Sequence, residues 1–366
     1  MSKLIDSLTG YFFPGEHAPL TSGAAPGTAT VERATVERAT GDAADLGTAS
    51  FNRQFKSDGP GAAAGGLRLR ERLWLRRPVQ RTAPPPRSAQ KPWGDDEVAS
   101  PRIHPLAVID PRAELAADVA VGPFCVVGPH VSIGPGTRLH NNVTILGHTS
   151  VGSDNEIFPN AVLGANPQDK KFKGEPTRLV IGDGNMIREA VTIHVGTEAG
   201  GGVTRIGDRN LLMVNCHLGH DVTLGDDCIL ANNVMLAGHC ELGNRVSMMG
   251  GAALHHFVSI GDFVFVGAYS RIHHDVPPFV KVDGADEIRG VNVVGLRRGG
   301  MSDADIAALE VAGRRLFYGR KQPMSVTIAE LTADAGLNPR VREMVDFLRR
   351  RNLGTKGRYL ESLRNG

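Results

Sequence analysis

The segment "LGHDVTLGDDCILANNVMLAGH", residues 218–239, places two imidazoles, His220 and His239, nineteen residues apart. His217 precedes it, and His255, His256, His273 and His274 follow. Histidine changes charge near neutral pH, so it serves as a base, an acid or a metal ligand. Asp221 stands directly after His220. A carboxylate there can steer the imidazole and stabilise its protonated form. Three chemistries fit these residue types: imidazoles packing at turns, a three-ligand zinc site with an open position, and general-base attack on a hydroxyl. Spacing has to be turned into geometry before they can be ranked.

The element that positions the histidines is written in the aliphatics. Counting by sixes gives Ile103, Ile109, Leu115, Val121, Val127, Ile133, Leu139, Ile145, Val151, Ile157 and Leu163. The beat resumes at Ile181, Ile187 and Ile193, shifts by one residue, and runs from Ile206 through Leu212, Leu218, Leu224, Leu230 and Leu236 to Ile272. Four residues after a beat sits a small or β-branched side chain, as at Cys125, Val143, Cys216, Val222, Cys228 and Cys240. A helix needs a period near 3.6 and a half-buried strand a period of 2, so neither makes a six. A hexad with Gly, Asn or Asp in its turns predicts a parallel β-helix, one short strand and a turn per hexad, three hexads per coil. Residues eighteen apart then lie one above another, about 4.8 Å apart. Modulo eighteen, all seven histidines fall within one five-residue arc, so they form a column along one edge of a prism.

Two polar loops, 165–178 and 196–205, interrupt the beat, and insertions in solenoids tend to serve binding. From 301 onward the pattern turns helical, with Ser302 as N-cap, then "SVTIAELTADAG" and "NPRVREMVDFLRRRN", predicted to cover the open end of the sheets. The division read from the sequence is 1–100 as a low-complexity extension lacking order, 101–285 as β-helix, and 286–366 as linker and helical domain. Within the extension, the arginine-rich "LRLRERLWLRRPVQR" reads as a solvated segment or a basic arm for an acidic partner. With no Met between Met1 and Met186, an alternative start near "VASPRIHP" would use Val98. A net charge of +2 argues against nucleic acid or an anionic membrane as main partner. No apolar run approaches a membrane span or a secretory signal, and four cysteines without a C-x-x-C pair suit a reducing compartment; a cytoplasmic protein is expected.

"VGPFCVVGPHVSIG", "NPQDKKFKGEPTR", "IREAVTIHVGT", "NLLMVNCHLGHDVTLGDDCILANNVMLAGH" and "HDVPPFVKVDG" resemble the UDP-N-acetylglucosamine O-acyltransferases that begin lipid A synthesis, over residues 101–366. The resemblance implies a left-handed β-helix with a C-terminal helical domain, a homotrimer with active sites between neighbours, and no cofactor. It implies transfer of a 3-hydroxyacyl or acyl chain from acyl carrier protein to the glucosamine 3-position of UDP-N-acetylglucosamine. On the family's pattern His220 is the general base, Asp221 its support, and the Gly238 N–H an oxyanion donor. His217, His239 and His255 match its other functional histidines. Asp169 and Lys171 fall on its sugar- and phosphate-binding loop, Asn292 and Arg298 on donor and nucleotide contacts, and Ala268 on its acyl-length ruler. Arg289, Arg297 and Arg298 are also candidates to attract the acidic carrier protein.

Three departures stand out. His256 replaces a common Gln, which keeps N-acylation of a 3-amino sugar open. Val294 replaces a common Glu, and "DGADEIRGVN" is one residue short. The small Ala268 predicts a medium to long acyl chain. A zinc-dependent, carbonic-anhydrase-like lyase on the same scaffold is the other enzymatic alternative.

Overall fold

A computed structural model describes residues 102–319 and 321–363. The extension 1–100, its arginine-rich arm and the Val98 start lie outside the described residues.

The hexads wind into three parallel sheets that form the walls of a prism. The first has eleven strands, beginning Arg102–Ile103, Ala120–Val121 and Arg138–Leu139; the second has nine, beginning Val108–Ile109; the third has eight, beginning Glu114–Leu115. Registers such as Val108↔Val126 and Leu211↔Ile229 confirm a coil of eighteen residues. Most hexad strands are two residues long, one pointing out and the beat residue pointing in. From Val121 to Ile272 every beat is buried; in the first coil Ile103, Ile109 and Leu115 are not. The core is therefore a stack of aliphatic layers in which each coil buries the face of the next. The four cysteines are buried free thiols in that stack.

The corners are made by backbone in the left-handed region. From Arg209 to Tyr269 every sixth residue has positive φ, as at Asn215, Asp221, Asp227, Asn233, His239 and Arg245. Asn and Asp tolerate this region; a larger side chain held there costs about 1–3 kcal/mol and is kept by the structure around it. One interior corner carries a polar ladder. Asn155 Oδ1 accepts the Asn185 N–H, Asn185 Oδ1 accepts that of Asn210, and Asn210 Oδ1 that of Cys228, each at 2.8–2.9 Å.

The two loops bulge from a corner without disturbing register. Glu156 pairs with Met186, thirty residues on, and Met186 with Leu211, twenty-five on. The first loop thus adds twelve residues, two whole hexads, and the beat resumes in phase. The second adds seven, which is the one-residue shift seen in the sequence.

At the C-terminal end Val280–Asp283 extends the first sheet, and Glu287–Val291 pairs with it antiparallel. This hairpin was not expected from the hexads. Its turn uses Gly284 and Asp286 at φ +62 and +63. Helices follow at Val293–Arg298, Asp303–Gly313, Met324–Ala333, Pro339–Asn352 and Tyr359–Leu363. Ser302 caps as expected, accepting the Asp305 N–H at 3.1 Å, and Asn338 caps the long helix. The Asp303–Gly313 helix packs on the hairpin, so the free edge of the first sheet is covered. No helix among the described residues is long and apolar enough to cross a membrane.

The mid-column Leu230, fully buried, and the end-coil Ile103, 42% exposed, should separate in denaturant unfolding. Leu230→Ala is expected to cost about 2–5 kcal/mol and Ile103→Ala under about 1 kcal/mol. Equal midpoints would contradict the stacked core.

Candidate active site

The histidines meet at the corner between the second and third sheets. Strand His217–Leu218 sends Leu218 inward and His217 outward, where His217 Nδ1 lies 2.8 Å from Thr192 Oγ1 on the preceding coil. The chain then turns through His220 and Asp221. One coil later His239 occupies the position that Asp221 holds, and its N–H donates to the His220 carbonyl at 2.9 Å. Both Asp221 and His239 have positive φ, +60 and +63. The His220 and His239 rings meet edge to face at 4.9 Å, and Phe257, a further coil along, stacks on His239 at 4.3 Å.

Asp221 is almost fully buried and heavily bonded. Oδ1 accepts the Thr197 N–H at 2.7 Å; Oδ2 accepts the Thr197 hydroxyl at 2.6 Å and faces His220 Nδ1 at 2.8 Å. His239 Nδ1 lies 3.5 Å from the same oxygen. Burial pushes the Asp221 carboxyl up, but the bonds from His220 and Thr197 outweigh it, and its pKa lies below the ordinary carboxylate value. The group is ionised near neutrality and can only accept. The proton between it and His220 therefore sits on Nδ1, leaving the His220 Nε2 lone pair as a base.

Two glycines make this packing possible. The 196–202 turn presses so closely on Asp221 that a Cβ at Gly200 would fall 2.1 Å from its Cγ. A Cβ at Gly238 would fall 2.6 Å from His220 Cε1 and Nε2, so only glycine lets the backbone run beside the reactive edge of the ring.

These groups open on a cleft of about 700 Å³. Asp169 and Lys171 from the first loop line it together with His220, Asp221, His239, His255 and His256. Asp169 Oδ1 accepts the Lys171 N–H at 2.9 Å, which shapes the loop. Burial, with His255 and His220 nearby, lowers the pKa of His256, so it is neutral near pH 7. Four of the seven column histidines, His220, His239, His255 and His256, thus line the cleft, while His217, His273 and His274 lie along the same corner beyond its lining. Of the other predicted residues Gly238, Asn292, Arg298 and Ala268 do not line it. Asn292 is a buried N-cap, donating to Phe263 O at 2.8 Å and accepting the Gly295 N–H at 3.1 Å. Arg298 is exposed at the end of that short helix, and Ala268 is exposed at the corner between the first and second sheets. Arg289 and Arg297 are engaged locally, with Glu287 at 2.7 Å and Asp303 at 3.3 Å.

Sequence reasoning missed three groups. Thr197, the clamp on Asp221, was legible only as part of an interrupting loop at the histidine corner. His194 also belongs to the column: adding the seven inserted residues to its number brings it into the same arc. It is 5% exposed, its ring 5.0 Å from His217, and its Nδ1 has no partner among the described residues. Burial, then His217 and His220, push its pKa down to about 4. The third group, Glu361, lines the same cleft from the distant C-terminal segment and leaves no local signal.

For a metal, the closest set is His220, Asp221 and His239, with donor atoms within 4.8 Å of one another. The fit is poor. Both Asp221 oxygens already accept hydrogen bonds from Thr197, and a cation between Asp221 and His220 would replace the bond that fixes the imidazole. The zinc alternative therefore lacks a prepared ligand set at this corner.

A prism wound from hexads is the architecture of the hexapeptide-repeat transferases. The model of bacterial transferase hexapeptide repeats matches residues 112–147 and 204–238, and that of UDP-N-acetylglucosamine O-acyltransferase domain 2 matches 275–356. An acyl-[acyl-carrier-protein]--UDP-N-acetylglucosamine O-acyltransferase of Halorhodospira halophila is 45% identical over 250 residues, covering 68% of this chain and 96% of that protein. Among solved structures, the UDP-N-acetylglucosamine O-acyltransferase of Moraxella catarrhalis shares 43% identity at a TM-score of 0.64, covering 67% of this chain and 95% of its own. The Arabidopsis UDP-N-acetylglucosamine acyltransferase shares 34% at 0.61, covering 70% and 98%. The chain belongs to the UDP-N-acetylglucosamine O-acyltransferase family, and its fold is the left-handed parallel β-helix with a C-terminal helical region.

A neutral buried His194 makes stability depend on pH. Its folded pKa of about 4 lies below the 6.5 of the free group, so between these values the unfolded chain binds more protons. Stability should be complete above pH 6.5 and fall as the pH drops toward 4. His194→Gln should flatten that slope in denaturant melts taken across this window, leaving the part due to His148, His217 and His256, which are lowered too.

Proposed function

We propose that this chain transfers a 3-hydroxyacyl or acyl group from acyl carrier protein to the glucosamine 3-hydroxyl of UDP-N-acetylglucosamine, with His220 as general base. The observation that carries the mechanism is the Asp221 carboxylate on His220 Nδ1 at 2.8 Å beside an open cleft. His220 Nε2 takes the hydroxyl proton as the oxygen attacks the thioester carbonyl. The new C–O bond forms, the C–S bond breaks, and the imidazolium returns its proton to the departing carrier thiolate. Asp221 stabilises the imidazolium between these steps.

Negative charge builds on the carbonyl oxygen during the attack. No turn or loop backbone bond among the described residues takes up the Gly238 N–H, and Gly238 runs against His220. It is assigned the oxyanion role, usually worth about 3–4 kcal/mol in the barrier. Asp169 is assigned to sugar hydroxyls and Lys171 to phosphate. His217, His255 and His256 are assigned to the sugar nucleotide or the pantetheine arm, and His239, packed between Asp221 and Phe257, to bracing as well as contact.

Asn292, Arg298 and Ala268 lie outside the cleft of their own chain, so their assignment requires a neighbouring copy. The outward residues support a homotrimer: Phe124, Val108, Met235 and Tyr269, all on or beside the second sheet, are 50–82% exposed apolar or aromatic side chains. The outer face of the third sheet instead carries Glu114, Ser132, Ser150, Thr223 and Glu241. Apolar faces of this kind are expected between subunits.

Mass spectrometry of product from purified enzyme, offered acyl carriers of several lengths and both 3-hydroxy and 3-amino UDP-sugars, tests the substrate. An ester on the 3-hydroxy sugar with a medium to long chain is expected; an amide would move the reading to N-acylation. His220→Ala should abolish transfer with the melting temperature unchanged. Asp221→Asn should lower kcat by roughly 10²–10⁴-fold through the wrong tautomer. Near-normal turnover in His220→Ala would defeat the assigned base.

A further inference from the structure

One wall of the cleft comes from the far end of the described chain. Tyr359–Leu363 places Leu360, Glu361 and Leu363 along the same cleft as His220 and Asp169. This segment is fastened to residues 273–275, which continue the histidine column. The buried Asp275 carboxylate accepts the Ser259 N–H and the Tyr359 N–H, both at 2.8 Å, and its own N–H donates to Gly357 O at 2.9 Å. Gly357 lies at φ +69 against His274, where a Cβ would sit 3.0 Å from the ring.

Arg358 is the group that needs explaining. It is only 6% exposed, and a guanidinium taken from water costs several kcal/mol unless it is fully paired. Its Nη1 donates to the His273 carbonyl at 2.8 Å and its Nε to Glu361 Oε2 at 2.7 Å, and Nη2 pairs with the same oxygen. The planar fork ties Glu361 rigidly to the coil that bears the column. Both contacts fall on Oε2, so Oε1 is the acceptor left to a ligand. An Arg-neutralised carboxylate between two leucines is suited to an uncharged donor, a hydroxyl or an amide N–H, and not to a second anion.

We propose that Glu361 contacts substrate in this cleft, accepting a hydrogen bond from a hydroxyl or amide N–H, and that Arg358 is the positioning residue that aims it. The inference rests on the acyl-transfer reading. Hydroxyl and amide N–H donors occur in both substrates, on the N-acetylated sugar of the UDP-sugar and on the carrier's pantetheine arm, and kinetics tells which substrate Glu361 touches.

The test varies UDP-N-acetylglucosamine and acyl carrier protein independently on the full chain. Glu361→Ala should raise KM about tenfold for one of the two, with kcat within threefold and the melting temperature unchanged. A rise for the sugar nucleotide places the contact on the UDP-sugar, and a rise for the carrier places it on the pantetheine arm. Glu361→Gln, which keeps an acceptor, should recover most of the loss. Arg358→Met should raise the same KM, and Arg358→Lys should restore it in part. Both KM values within twofold of wild type in Glu361→Ala would overturn the proposal, as would Arg358 variants that change only the melting temperature. If the wild type turns over neither substrate, the acyl-transfer reading itself fails. The calorimetric affinities of the same two substrates for wild type and Glu361→Ala then decide Glu361, on the same tenfold and twofold criteria.

Discussion

Along its walls each coil of the prism donates backbone N–H groups to carbonyls of the coil that follows, as Thr223 does to Cys240 and Gly225 to Leu242, at 2.9 and 2.8 Å, while corner N–H groups such as that of His239 donate back. That ladder repeats every eighteen residues and admits no slip, because a shift of one residue would turn the aliphatic beat outward. Everything at the corner inherits its position from it. His220 meets His239, and Asp221 meets the 196–202 turn, because their backbones are bonded coil to coil and not because the side chains seek each other. The aliphatic stack supplies the free energy that holds the ladder closed, and the polar corner is carried on it.

The corner itself runs against local preference. Asp221 is an ionised carboxylate in a nearly dry setting, and His239 is a bulky residue at positive φ. Either would be unfavourable alone. Together they make a rigid bracket: two bonds from Thr197, the imidazole of His220 and the ring of His239 saturate the carboxylate, while Phe257 fills the face behind His239. A bracket of this kind needs no reorganisation when the imidazole gains a proton, which is what a base with a fixed orientation requires.

The fold was legible because one rule, a buried aliphatic every six residues, applies from Val121 to Ile272 with only two interruptions. The histidine arc followed by arithmetic from the same rule, and the helix cap at Ser302 followed from side-chain chemistry close in sequence. What escaped was either non-local or governed by another period. The Glu287–Val291 strand pairs antiparallel and belongs to no hexad. Thr197 acts through space on a residue twenty-four positions later. His194 was hidden by the phase shift of the loop between it and its partners. The Arg358–Glu361 pair reaches the cleft from eighty-five residues beyond His273, and no repeat connects them. Asn292, Arg298 and Ala268 lie outside the cleft of their own chain, and no hexad arithmetic fixes where the residues past the repeat come to rest.

The two corner loops differ in length by a number that is not a multiple of the repeat, yet both leave the interior undisturbed. Coil closure, and not chain count, decides which side chain faces inward. A protein built this way can therefore vary the rim of its cleft without renegotiating its aliphatic core. Divergence can accumulate in the first loop while the scaffold stays constant, whereas the second is tied to the buried Asp221 through Thr197 and Gly200 and is not free to be exchanged.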